Sequence, residues 1–423
     1  MFRSVADIYR RAYSGLPPRA WILFIVNLVN SSGAMVIFFL SLYLTRKLGF
    51  SPARAGQALS LYGAGSLTGA FLGGWLTDKM GSIAVQKASL VSCGVLLIAL
   101  GQARHASSIL PLIFFLALAS GTLFPANATS MSKICPPGLQ VKGFALNRLA
   151  GNLGATIGPA VGGVLALYNY GLLFWADGLT SLAAAVVFIL MWKGAGKDIR
   201  RDAPPGSAKT GVEAGAGGPG PARTPWHDGP FLALMLLFLV WYSIFIQVLT
   251  TLPLYMRDVY GLAENRIGQL FAVNTVMIVL FEMVLMEKIR HRSQTRMINL
   301  SFLLLGAGLG LMPLGRGFAF AALTVAVWTV GEMLSMPLVA ALIAGRADDA
   351  ARGRYMGMLS FVFSLAFIIA PAAGTAVYGR FGGRALWFGC AAGSFLMGGA
   401  FLLLRPSLER PREEAIRPAL SLR

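Results

Sequence analysis

The chain has 423 residues, 56% of them hydrophobic and only 13% charged, with a net charge of +19. Soluble domains carry about 25% charged residues, so this composition excludes an ordinary soluble globular protein. A soluble helical protein this apolar would need nearly every helix buried all round.

Residues 1–19 set Arg3, Arg10, Arg11 and Arg19 beside Phe2, Val5, Ile8 and Tyr9, a basic amphipathic stretch expected to lie on a membrane surface. Twelve apolar runs follow, near 20–45, 53–77, 83–103, 108–133, 143–167, 171–193, 230–256, 264–288, 295–315, 317–344, 355–379 and 384–404. Each is close to the roughly 20 residues with which a helix crosses a bilayer. The first run exceeds the roughly 7–15-residue core of a cleaved signal and has no small-x-small site after it, so it is expected to remain as a span. Residues 194–228 are rich in Gly and Pro, as a flexible connector would be. The predicted fold is an all-α integral membrane protein. It has a six-helix bundle over 20–193, a linker over 194–228, a second six-helix bundle over 229–404 and a basic tail over 405–423.

With the N-terminus inside, 27 of the 36 basic residues fall on the cytoplasmic side, the positive-inside bias. Both termini are therefore expected in the cytoplasm. The charges sit in short loops beside apolar runs, so anionic lipid headgroups are the expected partner and nucleic acid is not. Cys93, Cys135 and Cys390 have neither paired nor metal-ligand spacing and read as packing residues. The abundance of Ala, Gly and Arg suits a GC-rich bacterial source, hence a bacterial inner membrane.

The two halves repeat at an offset of 212 residues. Tyr43 meets Tyr255, Gly49 meets Gly261, Gly56-Gln57 meets Gly268-Gln269, Pro125 meets Pro337, Pro159 meets Pro371, Gly162 meets Gly374 and Trp175 meets Trp387. Internal repeats of this kind suit a transporter that rocks two bundles about a central site.

In "NLGATIGPAVGGVL" (152–165), Gly154, Gly158 and Gly162 recur every four residues and line one helix face, with Gly163 widening it. That small-xxx-small pattern lets another helix come close, and Pro159 removes one backbone hydrogen bond. A plain packing surface has the same pattern. The string fits G-x-x-x-G-P-x-x-G-G, and in the fifth run it resembles the antiporter motif of the major facilitator superfamily, found in its drug:proton antiporter branches. A second likeness is "GWLTDKMGSI". Gly74, Asp78, Lys79 and Gly81 match the superfamily's loop signature, while Ser82 and Ile83 replace its trailing basic pair. In the second half Glu287 and Lys288 stand in for the Asp-Lys pair, and residues 345–358 resemble the matching loop of bacterial multidrug members. The resemblance implies the twelve-helix major facilitator fold, a gate in which Asp78 and Lys79 exchange charge contacts, and a monomer.

Ionisable residues within spans cost roughly 2.5–3.5 kcal/mol on insertion scales and point to function. Glu332 is the deepest and the first candidate for proton coupling; a hydrogen-bonded structural glutamate is the other reading. Glu282, Asp177 and Arg148 are further candidates for proton coupling; they lie nearer the span ends, shallow enough to snorkel toward headgroups, and read as structural, gate or ion-pair residues. The superfamily's proton antiporters often carry an arginine four residues before a glycine in the fourth span, where this chain has Ala117 before Gly121.

The resemblance places a substrate cavity on the first, fourth, seventh and tenth spans, where Asn27, Asn30, Tyr43, Asn127, Trp241, Tyr242 and Gln247 join Glu332. Aromatics with one acid suit an amphipathic or cationic small molecule. The function expected is a proton-coupled exporter of small lipophilic compounds working by alternating access, with no cofactor beyond the proton gradient. An uptake symporter or facilitator for a metabolite is the alternative. A membrane enzyme is disfavoured, because His105, His227 and His291 all fall in expected loops and no nucleotide-binding loop occurs.

Overall fold

The computed structural model describes residues 14–136, 139–193, 225–289, 291–346 and 351–420. Most of the basic N-terminal stretch, most of the linker and residues 347–350 of the loop after the tenth run lie outside them. The described chain is helical almost throughout: α1 (Pro18–Gly33), α2 (Val36–Leu42), α3 (Pro52–Met80), α4 (Ser82–Gln102), α5 (Ala106–Ile134), α6 (Gln140–Tyr168) and α7 (Tyr170–Lys193). After residue 224 come α8 (Gly229–Thr250), α9 (Leu252–Asp258), α10 (Glu264–Ile289), α11 (Gln294–Leu311), α12 (Phe318–Arg346) and α13 (Arg352–Leu420).

Local chemistry sets the ends. Ser51 accepts the Arg54 N–H at 3.3 Å ahead of Pro52, and Asp228 accepts the Phe231 N–H at 3.1 Å ahead of Pro230. Each is an N-cap followed by a proline whose missing N–H costs nothing in the first turn. Gly81 (φ +85°) separates α3 from α4, and Gly382 (φ +83°) interrupts α13 between the eleventh and twelfth runs. A residue with a side chain would be strained at either. Gly49 and Gly261 share φ values of +69° and +67°, so the repeat offset extends to backbone geometry.

Two runs expected to be single helices are broken. The first divides into α1, α2 and a π-helical turn over Tyr43–Lys47; the seventh divides between Thr250 and Leu252. Hydropathy reports only averages and does not register such breaks. Among the described residues ten runs are long and apolar enough to cross a membrane, α13 counting once. The glycine-rich α3 is long enough but less apolar.

The chain forms two compact units, one of residues 1–208 with 262–279 and the other of 209–261 with 280–423. In the first, α3 packs along α5, α4 against α5 and α7, and α1 against α6 and α7. Gly65, Gly69 and Gly73 make the α3 contact. A Cβ at Gly65 would reach Ala117 Cβ at 3.0 Å, one at Gly69 would reach Leu118 Cα at 3.0 Å, and one at Gly73 would reach Thr122 Cα at 2.6 Å. Helices in lipid gain from such close approach because there is no hydrophobic gain in leaving the tails. In the second unit α8 packs along α13, and α11 against α12 and α13. Its core is aromatic, with Phe238, Trp241, Phe302, Trp328, Trp387 and Phe401 buried. All three cysteines are buried and free.

Candidate functional site

The first element of the site is the break in the first span. Past Gly33 the backbone leaves the helix at Ala34 (φ −66°, ψ 73°). Two N–H groups beyond it, those of Met35 and Val36, donate to Oδ2 of Asp177 on α7 at 3.2 and 3.1 Å. Asp177 is 7% exposed, so it does not snorkel as its depth in the sixth run suggested. The break takes both N–H groups out of the helical ladder; Met35 N–H is shared with Gly33 O at 2.6 Å, and the carboxylate supplies the further acceptor that no water in a bilayer core would. One turn on, Thr180 lies so close to Gly33 that a Cβ there would collide with its hydroxyl.

The glycines of 152–165 receive the same break from α6. A Cβ on Gly154 would lie 2.6 Å from the Ser31 carbonyl carbon, one on Gly158 2.9 Å from Ala34 O, and one on Gly162 2.9 Å from Met35 Cβ. The face admits another helix closely, as its spacing implied, and receives both the last turn of α1 and the irregular backbone just after it. Pro159 and Gly163 serve a second neighbour, the start of α10. A Cβ on Gly163 would lie 3.1 Å from Gly268 Cα, and one on Gly268 would collide with Pro159 O. Beside them Tyr170 Oη donates to Glu264 Oε1 at 2.8 Å.

Asn27 Nδ2 donates to the backbone and side-chain oxygens of Asn147 at 2.9 and 3.0 Å, and Ser181 Oγ donates to Asn30 Oδ1 at 3.3 Å. Tyr43 is buried with its ring 4.6 Å from that of Phe174. Asn127 is buried, its Oδ1 without a donor among the described residues. A cavity of about 100 Å³ opens beside the break, its polar lining being Asn30, Tyr62, Cys93, Ser120, Asp177 and Ser181.

In the second unit Trp241 stacks on Phe245 (5.2 Å, 4°), which meets Trp328 edge-on at 6.4 Å, while Tyr242 meets Phe363 at 4.9 Å. The indole N–H groups of Trp241 and Trp328 are buried without an acceptor among the described residues. Glu332 follows Trp328 by one turn of α12 and is half-buried. Gln247 is engaged within its own unit: its amide donates to Ser243 O and Ala370 O at 3.1 and 2.8 Å and accepts from the Thr250 and Thr251 hydroxyls. It fastens the break in the seventh span, a role that residue type alone did not suggest. Glu282 is buried in α10 and, like Asp177, does not snorkel. Arg148 is exposed on α6.

Asp78 and Lys79 are exposed at the end of α3, with Lys79 Nζ 4.0 Å from the centre of the Trp75 ring. Gly81 N–H closes the helix on Thr77 O at 3.0 Å, and a side chain at Gly74 would meet nothing within 4 Å. Glu287 and Lys288 are exposed at the end of α10. A cluster the sequence reading passed over joins α8, α12 and α13. Arg346 donates to both carboxylate oxygens of Asp228 at 2.7 and 2.6 Å, and Tyr355 Oη donates to Oδ2 at 3.0 Å. Burial alone would push Asp228 up; the Arg346 hydrogen bonds and charge, the Phe231 N–H and Tyr355 outweigh it and hold the group below the usual carboxylate range. An acid followed by Gly-Pro at the head of an apolar run is a capping signature, and it was readable at Asp228.

The sequence profile of the Major Facilitator Superfamily matches residues 22–350. The chain is 25% identical over 389 residues to the uncharacterized MFS-type transporter YttB of Bacillus subtilis (strain 168), covering 87% of this chain and 91% of YttB. It is 27% identical over 348 residues to the multidrug resistance protein MdtH of Edwardsiella ictaluri (strain 93-146), covering 80% and 81%. Among solved structures, a POT peptide transporter in complex with sulfate superposes with a TM-score of 0.77 at 18% identity, covering 94% of this chain and 96% of that one. The nucleoside transporter NupG superposes with a TM-score of 0.75 at 14% identity, covering 92% and 99%. These two share the fold with the chain. With the profile spanning most of its length and the twelve-span helical fold in place, the chain belongs to the Major Facilitator Superfamily, a class of multi-pass membrane transporters.

Proposed function

We propose that the chain is a secondary active exporter of small lipophilic or amphipathic compounds, coupled to the proton gradient and working by alternating access in a bacterial inner membrane. The observation that carries this reading is the glycine segment. Gly154, Gly158, Pro159, Gly162 and Gly163 fill every position of the antiporter pattern, and a Cβ at any of the four glycines would strike a neighbour. Kinship with multidrug resistance proteins supports the same branch. Glu332, with the Trp241–Phe245–Trp328 wall in its own unit, combines an acid with aromatic faces, which attract organic cations. A proton and a cationic substrate would compete for that carboxylate. Asp78 with Lys79, and Glu287 with Lys288, are the proposed gate charges. The proposal needs no bound cofactor. It places both termini in the cytoplasm, a monomer in contact with anionic lipid, and a small-molecule substrate.

A second reading, uptake or facilitation of a metabolite, is favoured by one observation. Ala117 is fully buried and 3.0 Å from the Cβ that Gly65 would carry, so the fourth span has no room for an arginine there. The test is reconstitution in liposomes enclosing a pH-sensitive dye, with an imposed proton gradient and a panel of lipophilic cations and neutral amphiphiles. Export predicts substrate-dependent proton release, lost in Glu332→Gln. Substrate flux with no proton movement would replace export with facilitation.

A further inference from the structure

We propose that Asp177 is a proton-binding residue whose protonation state sets the hold on the break in the first span. This rests on the proton-coupled reading above and adds to it a site in the first unit, apart from Glu332. Three observations lead to it. The Asp177 carboxylate is buried, and its hydrogen-bond partners are the Met35 and Val36 N–H groups, both on Oδ2. No basic side chain lines the cavity it borders. A carboxylate enclosed in a membrane bundle without a cation is costly when ionised, and a proton removes that cost.

The surroundings give the proton polar company. The cavity of about 100 Å³ is large enough for water, and Tyr62, Ser120, Asn30 and Ser181 supply hydroxyl and amide groups around it. The titratable groups facing Asp177 are the Tyr62 phenol from α3 and the Cys93 thiol from α4. Both are neutral at physiological pH in their ordinary state. α1, α2 and α5 line the cavity with amide, hydroxyl and apolar groups, and α6 meets the break with glycines.

The consequence falls on the hinge. An ionised carboxylate holds two N–H groups more strongly than a neutral acid does, so protonation slackens the grip on Met35 and Val36. Met35 lies against Gly162, and the stretch just before it meets Gly154 and Gly158 through Ser31, Ser32 and Ala34. One proton would thus change how firmly the broken span is seated against the antiporter glycines.

The test is infrared difference spectroscopy of the full chain in lipid, between alkaline and acid pH. A carboxylic acid band should appear on acidification, shift in wild-type protein grown with carboxyl-labelled aspartate, and be absent from Asp177→Asn. Hydrogen exchange of a peptide spanning 31–38, corrected for intrinsic rates, should quicken on acidification in the wild type and lose that response in Asp177→Asn. A band untouched by the aspartate label, or surviving in Asp177→Asn, overturns the proposal. So does loss of the band on adding sodium at constant pH, which would make the occupant a metal cation. The label experiment uses wild-type protein, so a misfolded variant does not decide the matter. Proton flux driven by ethidium or tetraphenylphosphonium without an aspartate band would sink the Asp177 assignment alone. An aspartate band that is absent from Asp177→Asn, with no flux for any compound, would sustain that assignment and sink the export reading.

Discussion

Gln247 and Gly374 occupy adjoining space so tightly that a Cβ on the glycine would collide with the amide. Moving back 212 positions gives Met35 and Gly162, also in contact. In each unit a glycine of one helix receives the residue beside a broken span, although the two received residues share no chemistry. Gly374→Ala should therefore destabilise the protein by about 1–3 kcal/mol, the usual cost of overpacking. Gly399→Ala, which meets nothing within 4 Å inside a helix, should be neutral or stabilising by up to about 1 kcal/mol. Thermal unfolding in detergent compares them, and equal unfolding temperatures would refute the packing account.

The Asp228 cluster predicts a dependence on pH. Its folded value lies below its unfolded one, so its contribution is full above the ordinary aspartate range, about pH 4, and fades as pH falls through the depressed value. The unfolding temperatures of wild type and Asp228→Asn should differ most near neutrality and converge in acid. Arg346→Gln strips the carboxylate of its paired charge and should cost about 3 kcal/mol at neutral pH. A gap between wild type and Asp228→Asn that widens in acid would contradict the sign.

Tyr170→Phe removes the hydroxyl bonded to Glu264 and almost nothing else. Taking one partner from a buried acceptor predicts a cost of about 1–3 kcal/mol, measured as a lower unfolding temperature. Tyr168→Phe, on an exposed side chain, is the control that should change nothing.

Asp78 and Lys79 are exposed, so Asp78→Asn should leave stability within about 0.5 kcal/mol of wild type. If their role is to bias the conformational cycle, transport should still fall roughly tenfold, the equivalent of about 1.4 kcal/mol. Transport in proteoliposomes together with unfolding temperature separates the two effects. A variant that transports normally would remove the pair from the gate.

The fold was legible because bilayer thickness imposes a length on every apolar run, and that length survives in the sequence. The glycine pattern of α6 was legible for a similar reason, since only small residues permit such close approach. What covers those glycines was not. The stop in the helix at Ala34 follows from Asp177, 143 residues further on, and no local pattern reports a carboxylate arriving from another helix. Gln247 was read as a cavity residue because it is polar within an apolar run. Its amide is instead consumed by the break at Thr250–Leu252, which shows only once the backbone is traced. Asp228 and Tyr170 were passed over because each sits at a helix end, where polar residues are ordinary.

The 50 glycines of this chain are under two regimes of selection. At Gly345, Gly357, Gly389 and Gly399 nothing stands where a side chain would grow, so packing leaves these positions free to drift among small and medium residues. At Gly65, Gly69, Gly73, Gly158, Gly163 and Gly268 the neighbour is backbone, which no compensating side-chain exchange can move aside. Descendants of this sequence can rewrite most of their lipid-facing surface while those six glycines stay fixed, and a deep mutational scan would show them as intolerant columns in an otherwise permissive map.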